Sequence, residues 1–140
     1  SNYTTAFSAH VDTLGLMVRS IRGDGHLSFT VLGGPILATY DGEYCKIHTR
    51  DGKTYTGTIL STSPSTHVYP DASSKTRNAD NMYVRIDELV YSKADTIKLG
   101  IQNGDFISIE PKFEITKSGF VKTRFLDDKA SAFILIEVLK

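Results

Sequence analysis

Along residues 26–32, Leu27, Phe29 and Val31 alternate with Ser28 and Thr30, the period of two expected of a strand with one face on a core. Leu14 to Ile21 has similar character and is joined to His26–Leu32 through Gly23-Asp24-Gly25, which predicts a hairpin. A second hairpin is predicted where Cys45 to Arg50 and Lys53 to Leu60 flank Asp51-Gly52, a pair suited to the positive φ angles of a type I′ turn. Met82 to Ile86, Phe106 to Ile109 and Phe113 to Ile115 read as further strands, with turns at Asn103-Gly104-Asp105 and Ser118-Gly119. Ser92, with Asp95 three residues on, predicts the start of a short helix closed by Gly100. Ser61 to Asp80 is mostly Ser, Thr, Pro, Asn and Asp, and predicts a mobile loop longer than a routine connection.

The two ends have a different pattern. Tyr3 to Ala9 is apolar or small without alternation, which predicts a strand buried on both faces. Ala130, Ala132, Phe133, Ile134, Leu135, Ile136, Val138 and Leu139 cover nearly every side of a helix, which predicts burial all round. The expected fold is therefore mixed α/β. Residues 1–15 supply the first part of an α/β domain, 16–118 form an inserted antiparallel β-barrel-like domain, and 119–140 return to an incomplete host domain.

Composition narrows the function classes. Sixteen Lys plus Arg balance sixteen Asp plus Glu in 140 residues, so no electrostatic footprint points to nucleic acid or an anionic membrane. No apolar run is long enough to span a bilayer. The single cysteine, Cys45, has no internal disulfide partner and reads as a half-buried strand residue, and a reducing cytoplasm is the expected location.

His10 and Asp12 lie two apart at the end of the first predicted strand, so both side chains share a face. That spacing lets the carboxylate fix the imidazole tautomer and leaves the other ring nitrogen for a metal. It is equally the spacing of a satisfied structural histidine. Asp127-Asp128 precedes the apolar helix, where a carboxylate can cap the helix or bridge two cations. His26, His48 and His67 have no ligand spacing among them, and Tyr40, Tyr44 and Tyr55 read as strand packing.

The two motifs, in this order and with a β-module between them, resemble the glutamyl and tetrahedral aminopeptidase family of two-metal exopeptidases. The matching stretches are Ser8-Ala9-His10-Val11-Asp12-Thr13-Leu14-Gly15-Leu16-Met17-Val18 and Arg124-Phe125-Leu126-Asp127-Asp128-Lys129-Ala130. Residues 44–53 and 99–106 also look like family segments. The resemblance implies that the insert is PDZ-like, that His10 binds one metal and Asp127 bridges two, and that Asp12 is the catalytic-site residue orienting His10. It further implies a cis peptide between Asp127 and Asp128, zinc or cobalt as the ions, peptide substrates and a homo-oligomer.

Where the family commonly has an acidic residue after the orienting aspartate, this chain has Thr13. The family's general-base glutamate and its remaining ligands follow the bridging aspartate and have no counterpart up to Lys140. The chain alone is therefore expected to be inactive, and its own metal binding is left open. The alternative reading is a non-catalytic β-domain for subunit assembly or peptide binding. Glycan hydrolysis is disfavoured, because it needs two carboxylates facing one bond from about 5–9.5 Å apart, which adjacent Asp127 and Asp128 do not provide.

Overall fold

The computed structural model describes residues 4–140. They form two compact units, one spanning Leu14–Glu110 and the other combining the residues up to Thr13 with Pro111–Lys140. No helix among the described residues is long and apolar enough to cross a membrane.

The Leu14–Glu110 unit is a closed six-stranded antiparallel barrel. Its strands are β1 (Gly15–Ile21), β2 (Leu27–Leu32), β3 (Tyr44–His48), β4 (Thr54–Ser61), β5 (Met82–Ile86) and β6 (Phe106–Ile109). Around the barrel they run β1-β2-β5-β4-β3-β6, and β6 closes onto β1 through Leu16↔Ile107 and Met17↔Phe106. The alternation in the sequence sets the inward face: Leu16, Val18, Leu27, Phe29, Ile47, Ile59, Val84 and Ile107 are each no more than 1% exposed. Each such side chain contributes roughly 1.5–3 kcal/mol of apolar burial. Gly57 marks a close approach of β4 to β5, since a Cβ there would lie 2.6 Å from the Arg85 carbonyl oxygen.

A short helix, α1 (Lys93–Lys98), begins as expected with the Ser92 hydroxyl accepting from the Asp95 amide. The turn between β3 and β4 differs from the expected type I′. The Gly52 amide donates to the Thr49 carbonyl, and the Thr49 amide to that of Lys53. Gly52 has φ 83, whereas Asp51 is not among the positive-φ residues. That is a three-residue loop with a glycine bulge. Thr49 Oγ1 sets it, bonding the Asp51 carboxylate and accepting from the Lys53 amide at 3.0 Å.

The segment expected to be a mobile loop is instead anchored. Arg77 Nε donates to Asp41 Oδ2 at 3.0 Å, and its Nη1 donates to the Ala72 and Lys75 carbonyls. Ser61, Ser63 and Ala72 are buried. One guanidinium gathers several carbonyl and carboxylate acceptors, which polar composition alone does not reveal.

The second unit holds a two-stranded hairpin, β7 (Glu114–Ile115) with β8 (Val121–Lys122), and the helix α2 (Leu126–Val138). Two elements read as buried in a host domain are exposed among the described residues. Tyr3 lies outside the described residues, and Thr4 to Ala9 is exposed and carries no ladder. A strand needs a neighbour for its backbone groups, and none of the described strands pairs with this segment. Helix α2 has no buried residue. Its apolar positions are real, but the described residues cover them only in part: Ala132 and Leu135 are half-buried, and Phe133 remains 63% exposed.

Candidate metal centre

His10 and Asp12 sit on the irregular segment that ends at Thr13, and Asp127 at the start of α2, all within the second unit. The fold brings the three together. His10 Nδ1 lies 3.2 Å from Asp12 Oδ1, and His10 Nε2 lies 3.2 Å from Asp127 Oδ1. The site is open, with side-chain exposures of 52% for His10, 90% for Asp12 and 95% for Asp127.

Asp127 is displayed by an irregular start to α2. Asp127 and Asp128 have non-helical backbone angles, the peptide between them is cis, and no side chain caps the helix. Asp127 is therefore not acting as a helix cap. Phe125, just before, takes the left-handed conformation at φ 67, an outlier for a bulky residue and the kind of local strain found around functional sites. Phe125 was not singled out by sequence, because its type carries no signal for that conformation.

Desolvation pulls the His10 pKa down, but attraction to Asp12 and then to Asp127 outweighs it, so the value stands above the ordinary 6.5. The physical reason is that a protonated ring donates to both carboxylates, whereas a neutral ring must turn one nitrogen lone pair toward an anionic oxygen. A cation is favoured between Nε2 and Asp127, and a metal ion would meet the same field.

The donor set fits such an ion. Two donors each about 2.1 Å from one tetrahedral zinc stand roughly 3.4 Å apart, close to the 3.2 Å between His10 Nε2 and Asp127 Oδ1. Asp12 is on the opposite ring nitrogen and can orient the imidazole but cannot share the ion. Accordingly, no group of three or more His, Cys, Asp or Glu side chains surrounds one point among the described residues.

The other histidines belong elsewhere. His48 Nε2 is 2.7 Å from Ser108 Oγ, His26 stacks on Tyr83, and His67 is exposed. Tyr40 is buried, Tyr44 exposed, and Tyr55 donates to the Leu99 carbonyl at 2.7 Å, so these tyrosines have separate roles. Cys45 is more deeply buried than expected, at 2% exposed. Burial first, then the Asp87 charge, pushes its thiol up to about 12, which makes it a core residue rather than a nucleophile.

The whole chain, residues 1–140, matches the M42 glutamyl aminopeptidase family. A Bacillus subtilis (strain 168) protein named as a candidate aminopeptidase, YhfE, is 52% identical over 94% of this chain and 38% of its own length. The structure of a TET aminopeptidase from the marine sediment archaeon Thaumarchaeota archaeon SCGC AB-539-E09 superposes with TM-score 0.78 at 30% identity, over 92% of this chain and 36% of that one. The Pyrococcus horikoshii TET1 peptidase, described as assembling into a tetrahedron or a large octahedral shell, gives TM-score 0.78 at 27% identity, over 94% of this chain and 38% of that one. The chain thus spans less than two fifths of the length of these relatives.

Proposed function

The chain belongs to the M42 glutamyl aminopeptidase family, and on that premise we propose that it is the part of a two-metal aminopeptidase that carries the first metal ligand, the bridging ligand and an inserted PDZ-like domain. In this reading His10 Nε2 and Asp127 Oδ1 hold one zinc or cobalt ion, and Asp12 is the positioning residue that keeps the proton on His10 Nδ1. The observation that carries it is the 3.2 Å approach of His10 to Asp127, two residues whose individual motifs have ordinary structural explanations. A divalent pair, when bound, supplies Lewis acidity and an activated water for amide hydrolysis.

This chain's own contributions are geometric and electrostatic. His10 would offer a lone pair on a ring held by Asp12, and Asp127 would offer a carboxylate oxygen beside it. Peptides are the substrate class implied by family membership. The barrel is the inserted PDZ-like domain, serving subunit association and access to the site. The assembly described for the Pyrococcus horikoshii relative supports a homo-oligomer for the longer protein.

The test uses the chelator-treated 140-residue chain and cobalt(II), followed by amide NMR. Paramagnetic broadening is expected at residues 8–13 and 125–130 and should vanish in His10→Ala and Asp127→Ala. Broadening that persists in both variants, or none at millimolar cobalt, would defeat the ligand assignment. The same samples should hydrolyse no aminoacyl chromogenic substrate, because two ligands and no general base do not complete a hydrolytic centre. Turnover abolished by Asp127→Ala would show that the missing groups are within this chain after all.

A further inference from the structure

The thinnest seam of the barrel lies between β2 and β5. Strands β4 and β5 are paired over five residues, from Gly57↔Ile86 to Ser61↔Met82, and β3 and β4 over five as well. By contrast, β2 meets β5 only at Leu27↔Val84. Few backbone hydrogen bonds hold that junction, so side chains bordering it carry a larger share of its closure.

Next to the single pair, His26 precedes Leu27 on one side and Tyr83 precedes Val84 on the other. Their rings stack across the seam, with centroids 5.2 Å apart and planes inclined by 21°. The Arg22 guanidinium lies 5.0 Å from the Tyr83 ring centroid and 3.3 Å from Asp24 Oδ2. Asp24 Oδ1 accepts from the His26 amide at 3.1 Å, and the Arg22 amide donates to the His26 carbonyl at 2.8 Å. The turn is docked from the far side by the Thr96 hydroxyl of α1, which donates to the Gly25 carbonyl at 2.6 Å. The backbone of His26 is thus held in place beside the seam, which positions its ring against Tyr83.

The ring is built to be neutral there. His26 Nδ1 is buried and has no partner among the described residues. A proton added to the ring leaves a charged N–H without an acceptor, an expensive condition in a desolvated place. The charged groups acting on the ring are Asp24 from the turn, which favours protonation, and Arg22 just after β1 with Arg85 from β5, which oppose it. Two cations face one anion. We propose that the His26–Tyr83 stack is an acid-sensitive clasp across the β2–β5 seam, released when His26 takes up a proton.

Desolvation first, with Arg22 and Arg85, outweighs Asp24 and holds the His26 pKa below 6.5. The unfolded or unclasped ring therefore binds protons more readily than the clasped one. Clasp stability is full above pH 6.5 and falls as the pH drops through that value toward the folded pKa.

Amide hydrogen exchange on the 140-residue chain tests this, with protection factors corrected for intrinsic rates at pH 7.5 and 5. Protection at residues 26–28 and 83–85 should fall by about tenfold for each pKa unit separating the clasped and free rings, while Lys46 and Thr56 on the β3–β4 ladder hold theirs. His26→Phe keeps an aromatic stack without a titrating group and should make the seam insensitive to pH. An equal acid loss in His26→Phe, or seam protection unchanged in the parent chain, overturns the clasp. Should His26→Phe not fold, the His26 ring titration followed by carbon-bound proton shifts decides: a value below 6.5 that coincides with seam opening supports the proposal, and a value at or above 6.5 overturns it.

Discussion

His10 Nε2 and Asp127 Oδ1 stand 3.2 Å apart across most of the length of the chain, and Asp12 occupies the other ring nitrogen at the same distance. A histidine flanked by two carboxylates binds a proton well for the reason it can bind a metal well: both reward positive charge at Nε2. Proton and metal therefore compete for the site.

The first expectation is a titration. In the chelator-treated chain, His10 should titrate above 6.5 by NMR, because Asp12 and Asp127 together overcome desolvation. Asp12→Asn should lower the value more than Asp127→Asn, following the order of their influence. The raised value stabilises the folded arrangement fully below about 6.5, the unfolded reference, and that contribution disappears as the pH rises through the folded pKa. A His10 value at or below 6.5 would show that the two carboxylates do not hold these positions in solution.

The second concerns self-association. Phe113, Ile115, Phe133 and Ile134 line an apolar cleft of about 790 Å³ between the β7–β8 hairpin and α2, and Phe113 and Phe133 are 64% and 63% exposed. Apolar surface of this kind is seldom left uncovered. Sedimentation of the chain should give a weight-average mass that rises with concentration above the monomer's 15.4 kDa. Phe133→Asp should weaken the association by about tenfold or more, as expected for loss of a buried aromatic anchor. A mass fixed at the monomer value would contradict it.

The third is a packing test in the barrel. Gly57→Ala places a Cβ 2.6 Å from the Arg85 carbonyl oxygen and 3.1 Å from Val84 Cγ1. Because the nearest atom is backbone, β4 and β5 must separate locally. Overpacking of this sort destabilises by about 1–3 kcal/mol, measurable as a lower urea midpoint at unchanged m-value. An unchanged midpoint would mean the strands yield freely at Gly57.

Local patterns in the sequence were sufficient where the governing physics is local. The alternation of Leu27, Phe29 and Val31 with polar residues predicts β2, and Ser92 with Asp95 predicts the cap of α1, because both depend on residues two to four apart. The bend at Asp51-Gly52 was legible too, although Thr49 Oγ1 altered its type. The site residues His10, Asp12 and Asp127 could be singled out by spacing and resemblance. Only the tertiary structure decided that His10 meets Asp127, that β6 closes onto β1, and that Arg77 anchors a polar stretch to Asp41. The apolar pattern of residues 130–139 shows the same division, since it specifies a helix able to be buried but not what lies against it. Sequence pattern states which face of an element avoids water; partners distant along the chain are chosen by packing, against the entropy of closing the loops between them.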